Sequence, residues 1–331
     1  MKRSYRCLGV VAVLLLVDQT ARTGAQQAPA PAAPAGAALV AAQKQLPWAF
    51  PLAEPGARRE DDGTVKTLPG GARGFTVPEI NDPFAPPDWF PNEHPTMPAV
   101  VSHGRKPDVR ACGQCHMMHG LGHPESSSLA GLPASYILQQ MEDFKNLTRR
   151  NSGLMTVMAK AMTDAELKES AAYFASLPMQ QWTRIVEAAT VPKTFVGAGN
   201  MRFASKEGGM ELIGQRIIEL PENAEHAELR DPHSSFMAYV PVGSIKKGAA
   251  LVTTGANKTV RCTVCHGADL KGIGPVPGLA ARSPIYIVRQ LYSFQHGLRE
   301  GVWSDLMKEA VAKLTLDDMV AIAAYAASQK P

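Results

Sequence analysis

The sequence predicts a mainly α-helical protein. Two copies of one small helical domain stand in tandem, with an extended N-terminal segment before them and a small irregular or β-stranded connector between them. Three observations carry this. Cys-x-x-Cys-His is spelled twice, by Cys112, Cys115 and His116 and by Cys262, Cys265 and His266. The residues that follow the two motifs match at an offset of 150 positions, with a two-residue shift before the last helix, the mark of a duplicated unit. Each copy also has apolar residues at helical spacing between a proline start and a capping motif.

Residues 1–25 read as a secretory signal peptide. Lys2, Arg3 and Arg6 precede the apolar run Cys7 to Val17, which is too short to span a bilayer comfortably, and small residues at Thr23 and Ala25 place cleavage after Ala25. An uncleaved N-terminal anchor is the second reading; no other stretch is long and apolar enough to cross a membrane. Residues 26–107 form a low-complexity tether, "QQAPAPAAPAGAALVAAQKQ" at 26–45, and then an extended stretch with "PPDWFPNEHP". That stretch either wraps the first domain or is a loose linker. The first domain spans 108–180, the connector 181–242 and the second domain 243–331. Within the connector, "TFVGAGNMRF", "GQRIIELP" and "SFMAYVPVG" read as short strands between turns.

At 331 residues, 45% of them hydrophobic, the chain suits about two domains with real cores. The formal charge of +4 falls to +1 without residues 1–25, which hold four basic residues against Asp18. The basic balance therefore belongs to the leader and supports no nucleic-acid reading.

In each copy a long helix starts near Pro133 or Pro284, a residue suited to the first helical turn, with Tyr136, Ile137, Met141 and Phe144 on one face. The last helix opens on Thr163 and Glu166, a capping box, and on Thr315 and Asp318 in the second copy. Leu129, Tyr136, Ile137, Gln140, Phe144 and Arg149 match Leu279, Tyr286, Ile287, Gln290, Phe294 and Arg299. The second copy has a lead-in helix, "SIKKGAALVTTG", with Gly248 and Leu251 on its packing face. The first has "MPAVVSHGRKPDVRAC", broken by Pro98 and Pro107.

Of five cysteines, Cys7 lies in the leader and the other four in the two motifs, so none is left for a structural disulfide. A zinc site needs two Cys pairs about 15–20 residues apart, and a redox dithiol expects a βαβ context. Neither explains His at the same offset twice. Covalent haem attachment explains every residue: two thiols one turn apart form thioethers, and the adjacent imidazole faces the iron. The expected cofactors are two haem c groups, held covalently by Cys112, Cys115, Cys262 and Cys265, with His116 and His266 as proximal iron ligands.

The order of haem motif, "LAGLPASYILQQMEDFKNLTR", a Met-bearing loop and "MTDAELKESAAYFAS" resembles the class I cytochrome c fold, and the fused pair resembles the dihaem cytochrome c-four type. The resemblance covers about 108–180 and 243–331. It implies a Met as sixth iron ligand, seven residues before the position that opens the last helix: Met155 before Met162, and Met307 before Leu314. Met307 is the only Met between His266 and the last helix; in the first copy the choice between Met155 and Met158 stays open. The family's carbonyl contact to the proximal His falls to Pro277, and in the first copy to Ser127 through backbone alone. Arg149, Arg299 and Trp303 read equally as haem-propionate partners or as solvated arginines and a core Trp. Met117, Met118, His119 and His123 read as haem-edge or surface residues.

The expected function is a periplasmic electron carrier with no catalytic residues, passing single electrons between periplasmic donor and acceptor proteins. A cytochrome subunit of a periplasmic dehydrogenase or terminal oxidase is the alternative. A dihaem peroxidase, which needs an open iron position, ranks below them. If residues 46–107 leave the first haem uncovered it should have the lower potential, and covering it should reverse the order.

Overall fold

The structure is a computed structural model that describes residues 35–53, 57 and 59–331. The expected leader lies outside the described residues. In the described residues the chain begins with α1 (Ala35–Gln45) and three one-turn helices, α2 (Val77–Ile80), α3 (Ala99–Ser102) and α4 (Gly113–His116). The first copy continues with α5 (Ala134–Lys145), α6 (Gly153–Ala161) and α7 (Asp164–Ser176). The connector holds β1 (Thr183–Glu187), β2 (Thr190–Pro192), β3 (Thr194–Val196), β4 (Arg202–Ala204), β5 (Met210–Leu212), β6 (Ile218–Pro221), α8 (Ala224–Glu228) and β7 (Phe236–Val240). The second copy is α9 (Ser244–Thr254), α10 (Thr263–His266), α11 (Pro284–Gln295), α12 (Ser304–Val311) and α13 (Leu316–Ser328).

The last helix of each copy starts where its capping box lies: Thr163 accepts from Glu166 N and Thr315 from Asp318 N, with the acidic side chain returning to the cap. In the second copy α9 crosses α13 at Gly248, where an added Cβ would meet the Ala321 carbonyl oxygen at 2.0 Å. Only a residue without a side chain permits that approach, and Leu251 is buried beside it. The first copy has only α3 in this place. Pro98 stands at its N-cap and the helix ends after one turn at His103, where Gly104 follows in left-handed backbone (φ 65°).

Three predicted strand segments hold β3 with β4, β6, and β7. β7 lies between β1, parallel to it with Thr183 opposite Phe236, and β6, antiparallel with Pro221 opposite Phe236. Alternate residues Phe236, Ala238 and Val240 are buried, the period of a strand. Phe236 joins the core of the first copy, with Val101, Leu121 and Phe174, while Ala238 and Val240 join that of the second, with Leu251, Val288 and Ala324. One strand thus stitches the two cores together.

The tether expected over 26–45 is corrected from Ala35 onward. Residues 35–45 are helical because alanine is the best helix former and the prolines stop at position 34. Ala42, Leu46, Trp48, Ala49 and Phe50 then enter the core of the second copy, with Phe50 edge-on to Tyr292 at 5.8 Å. Residues 68–90 are not a loose linker either: Leu68, Phe75, Ile80, Trp89 and Phe90 form a small core with Leu229 of the connector.

The candidate haem sites

Each Cys-x-x-Cys-His motif folds as one helical turn. Cys112 and Cys262 sit at the N-caps of α4 and α10 with helical backbone (φ −60° and −61°), so the second thiol, three residues on, lies on the same face. All four cysteines are free. His116 Nδ1 lies 2.8 Å from the Ser127 carbonyl, and His266 Nδ1 lies 2.8 Å from the Pro277 carbonyl. A carbonyl only accepts, so Nδ1–H donates and the neutral ring keeps its lone pair on Nε2. Burial lowers the pKa of both imidazoles, which favours that neutral, ligating form.

The competing chemistries do not fit these residues. A redox dithiol needs a depressed thiol pKa. Burial instead pushes Cys112 up to about 12 and Cys262 up to about 11. Among the described residues no group of three or more His, Cys, Asp or Glu is placed to hold a metal ion, so each Cys pair lacks the partners a zinc site requires.

Met155 and Met307 occupy matching places, but not in loops as expected. Met155 lies in the first turn of α6, where its N–H donates to the Ser152 hydroxyl at 3.3 Å, and Met307 lies in α12. Ser152 caps the start of α6, and Lys308, Glu309 and Ala310 after Met307 are good helix formers, so each segment closes into a helix. Each Met is partly buried against the core of its own copy. Met158 and Met162 are buried in the first core; 152 positions on, the separation of Met155 and Met307, the second copy has Ala310 and Leu314.

A second constellation carried only weak weight in the sequence. Arg149 and Arg299 are buried, not solvated, and meet between the copies as an isolated antiparallel bridge. Arg149 donates to Gln140 at 2.8 Å and to Gln290 at 3.1 Å and Tyr286 at 3.2 Å across the junction. Arg299 donates to Gln290 at 3.1 Å and, across the junction, to Gln140 at 2.6 Å and Tyr136 at 3.4 Å. Neither guanidinium has a carboxylate partner among the described residues. Two buried cations without an anion fit a group that brings its own carboxylates, as haem does. The matching Tyr, Gln and Arg at one offset were the available clue; their meeting across the repeat was not visible. Trp303 is the reverse case: it is 68% exposed, so it is no core residue.

The two motif loops differ in cover. In the first, Ala111 N donates to the Pro83 carbonyl at 2.9 Å and Arg230 reaches the carbonyls of Ile80 and Gln114. Trp182 Nε1 donates to the Gly122 carbonyl at 3.0 Å, and Arg289 of α11 donates to the Pro124 carbonyl. Met117, Met118, His119 and His123 are consequently buried, which corrects their surface reading. Burial holds His119 down at about 4 and His123 at about 3, both neutral at physiological pH.

No family model matches the chain. It is 24% identical over 228 residues to a thiosulfate dehydrogenase electron acceptor of Stutzerimonas stutzeri, covering 68% of this chain and 82% of that one. A cytochrome c4 of Thiocapsa roseopersicina is 27% identical over 228 residues, covering 66% of this chain and 88% of that one. Cytochrome c-554(548) of Halomonas halodenitrificans is 34% identical over 77 residues, which are 23% of this chain and 93% of the relative. Among solved structures, the thiosulfate dehydrogenase TsdBA of Marichromatium purpuratum aligns with a TM-score of 0.48 at 24% identity, over 70% of this chain and 39% of that longer one. With these relatives beside the doubled motif, the chain belongs to the class I c-type cytochromes, as a dihaem electron-transfer protein of the c4 type with covalently bound haem c.

Proposed function

We propose that Cys112 and Cys115 hold one haem and Cys262 and Cys265 the other, with His116 and Met155 as axial ligands of the first iron and His266 and Met307 of the second. The observation that carries this is the pair of Nδ1–carbonyl hydrogen bonds, each 2.8 Å and each to the residue eleven places on. They fix the tautomer that presents Nε2. Met155 is favoured over Met158 by the repeat: it is the first-copy Met with a Met counterpart in the second. Bound haem iron supplies a one-electron couple; the chain supplies ligands, orientation and exclusion of water. Thioether sulfur on one side and imidazole on the other leave no iron position for peroxide, which argues against peroxidase chemistry.

The chain serves as an exported carrier between a donor and an acceptor protein, with 1–25 as leader, 26–107 as N-terminal segment, 108–180 and 243–331 as haem domains, and 181–242 as connector. A specific observation favours the reading as partner of a dehydrogenase: the relatives from Stutzerimonas stutzeri and Thiomonas intermedia are named electron acceptors of thiosulfate dehydrogenase and align over 82% and 80% of their length. Protein matured in an exporting host should carry two haem masses, and Met307→Ala and Met155→Ala should each remove about half of the weak iron–sulfur band of the oxidised spectrum. Retention of the whole band in Met155→Ala, with its loss in Met158→Ala, assigns Met158 instead.

A further inference from the structure

Each histidine of the two motifs leans on one carbonyl, and a single side chain grips the chain next to both carbonyls. Arg282 donates from Nε to the Gly278 carbonyl at 2.7 Å, from Nη1 to the Ser128 carbonyl at 2.8 Å and from Nη2 to the Ala130 carbonyl at 3.0 Å. Gly278 follows Pro277, the acceptor of His266 Nδ1, and Ser128 follows Ser127, the acceptor of His116 Nδ1. Both acceptor segments are packed tightly enough to pass that grip on. A Cβ at Gly278 would meet the Lys271 carbonyl oxygen at 2.7 Å, and the Ser128 hydroxyl donates to the Leu121 carbonyl at 2.6 Å. One residue further on, Leu129 N donates to Gly120 and Leu279 N to Leu270, each at 2.7 Å. Arg282 is 6% exposed and bonds only to backbone carbonyls among the described residues. Burial lowers its pKa to about 10, so it is still a cation at neutral pH. A buried charge persists only where it is hydrogen-bonded, so the carbonyls hold the cation and the cation holds them. The repeat supplies one such residue, not two. The turn before α11 is left-handed at Ala281 (φ 59°), as is the matching turn at Gly131 (φ 68°) before α5. It delivers Arg282 in the second copy and, 150 positions earlier, Leu132, which is buried in the first core.

We propose that Arg282 is a positioning residue shared by the two sites: from the second copy it fixes the acceptor carbonyls of both His116 and His266, and its charge raises both potentials. This inference rests on the axial ligands proposed above. The second hydrogen bond of a ligating histidine sets its ring orientation and the basicity of its ligating nitrogen. A residue that holds two such acceptors therefore sets two sites at once. A fixed positive charge also opposes the extra charge of oxidised iron, which favours the reduced state. Lysine cannot replace it fully, because a point charge on a flexible stem does not reach three carbonyls in a fixed fork.

The test uses the full-length holoprotein, its two haems verified by intact mass. In the reduced native chain the Nδ1–H signals of His116 and His266, followed by NMR with isotope-labelled histidine, should carry the ring-current shift of iron ligands. A failed ligand assignment is thus seen before any variant is compared. Arg282→Gln should speed the exchange of both Nδ1–H protons with water about tenfold. It should also lower both redox steps by about tenfold in equilibrium constant, which is about 59 mV each. Arg282→Lys, which keeps the charge and loses the fork, should speed both exchanges and leave both potentials near native. Arg150→Gln, which removes a different contact across the junction, to the Gly297 carbonyl, should change neither exchange rate. Acceleration at one histidine alone overturns the sharing. Unchanged exchange in both Arg282 variants overturns the positioning role, and unmoved potentials in Arg282→Gln overturn the part given to the charge.

Discussion

The two motif loops share sequence, helix, tautomer and Met position, and still occupy different environments. In the first, Gln114, Met117, Met118, His119 and His123 lie under residues from three other parts of the chain; in the second, Val260, Val264, Cys265 and Ile273 face solvent. The proposed ligands of each site come from within one repeat, so duplication preserves them. The cover comes from residues 80–90, from 182 and 229–236, and from α11, so duplication does not copy it. Two sites with one ligand set can thereby be tuned apart without touching a ligand.

Trp89 is the most direct way to break the contrast. It is 2% exposed, stands edge-on to Phe75 at 4.6 Å and donates from Nε1 to the Leu229 carbonyl at 2.7 Å. Trp89→Ala should cost about 3–5 kcal/mol, from lost burial and the cavity left behind, read by denaturant unfolding of the holoprotein. The amides of Gly113 and Gln114 should then exchange at least tenfold faster, with Thr263 and Val264 unchanged. Equal acceleration in both loops would mean that the cover is not what separates them.

Much of the site was legible in the residues. Cysteine spacing pointed to the proposed attachment points, and the matching of the two halves pointed to the duplication. Capping boxes gave the starts of α7 and α13, and Gly248 with Leu251 the packing face of α9, because each depends on residues within one turn or one helix. What stayed hidden depends on distant partners. β1 pairs in parallel with a strand some fifty residues away. The alanine-rich stretch read as a tether because its composition is simple, yet its helix packs on the second copy some 200 residues on. For Arg149 and Arg299 the choice between propionate partners and solvated arginines stayed open because their contacts lie across the repeat.

The join between the connector and the second copy offers a sharper, pH-dependent test. Glu219, on β6, is 1% exposed and accepts from Ser283 at 2.8 Å and Thr183 at 3.2 Å. Burial, opposed by these donors, pushes its carboxyl up to about 7. The folded chain therefore keeps a proton that the unfolded chain loses near pH 4.5. Stability is greatest below that value, falls as pH rises to about 7 and stays low above it. Glu219→Gln cannot ionise, so it should gain up to about 3 kcal/mol over the native chain at pH 8 and little at pH 4. An unchanged pH slope would falsify the buried proton. The gain should leave the exposure of the second motif loop as it is, because Glu219 touches α11 and not that loop.

The smallest expected effect is also the most informative about the two sites, namely the order of their potentials. Read from sequence, the Pro-broken lead-in of the first copy pointed to an exposed, lower-potential haem unless residues 46–107 cover it. Part of that stretch covers the first motif loop, and the connector adds Arg230, whose guanidinium lies against the Gln114 carbonyl and makes no ion pair among the described residues. Oxidised haem iron carries one more positive charge than reduced. A dry site with a cation beside it disfavours that charge, so the first site should have the higher potential. Arg149 and Arg299 are shared between the copies and shift both sites alike. A separation of about 60 mV, which is a tenfold equilibrium constant for one electron, is the scale expected of cover alone. Spectroelectrochemical titration should then resolve two steps, with Arg230→Gln lowering the upper one and Met307→Ala moving the lower one. If Arg230→Gln moves the lower step instead, the covered site is the weaker oxidant and burial does not set the order. If the two steps coincide, the cover separates the loops in accessibility but not in energy.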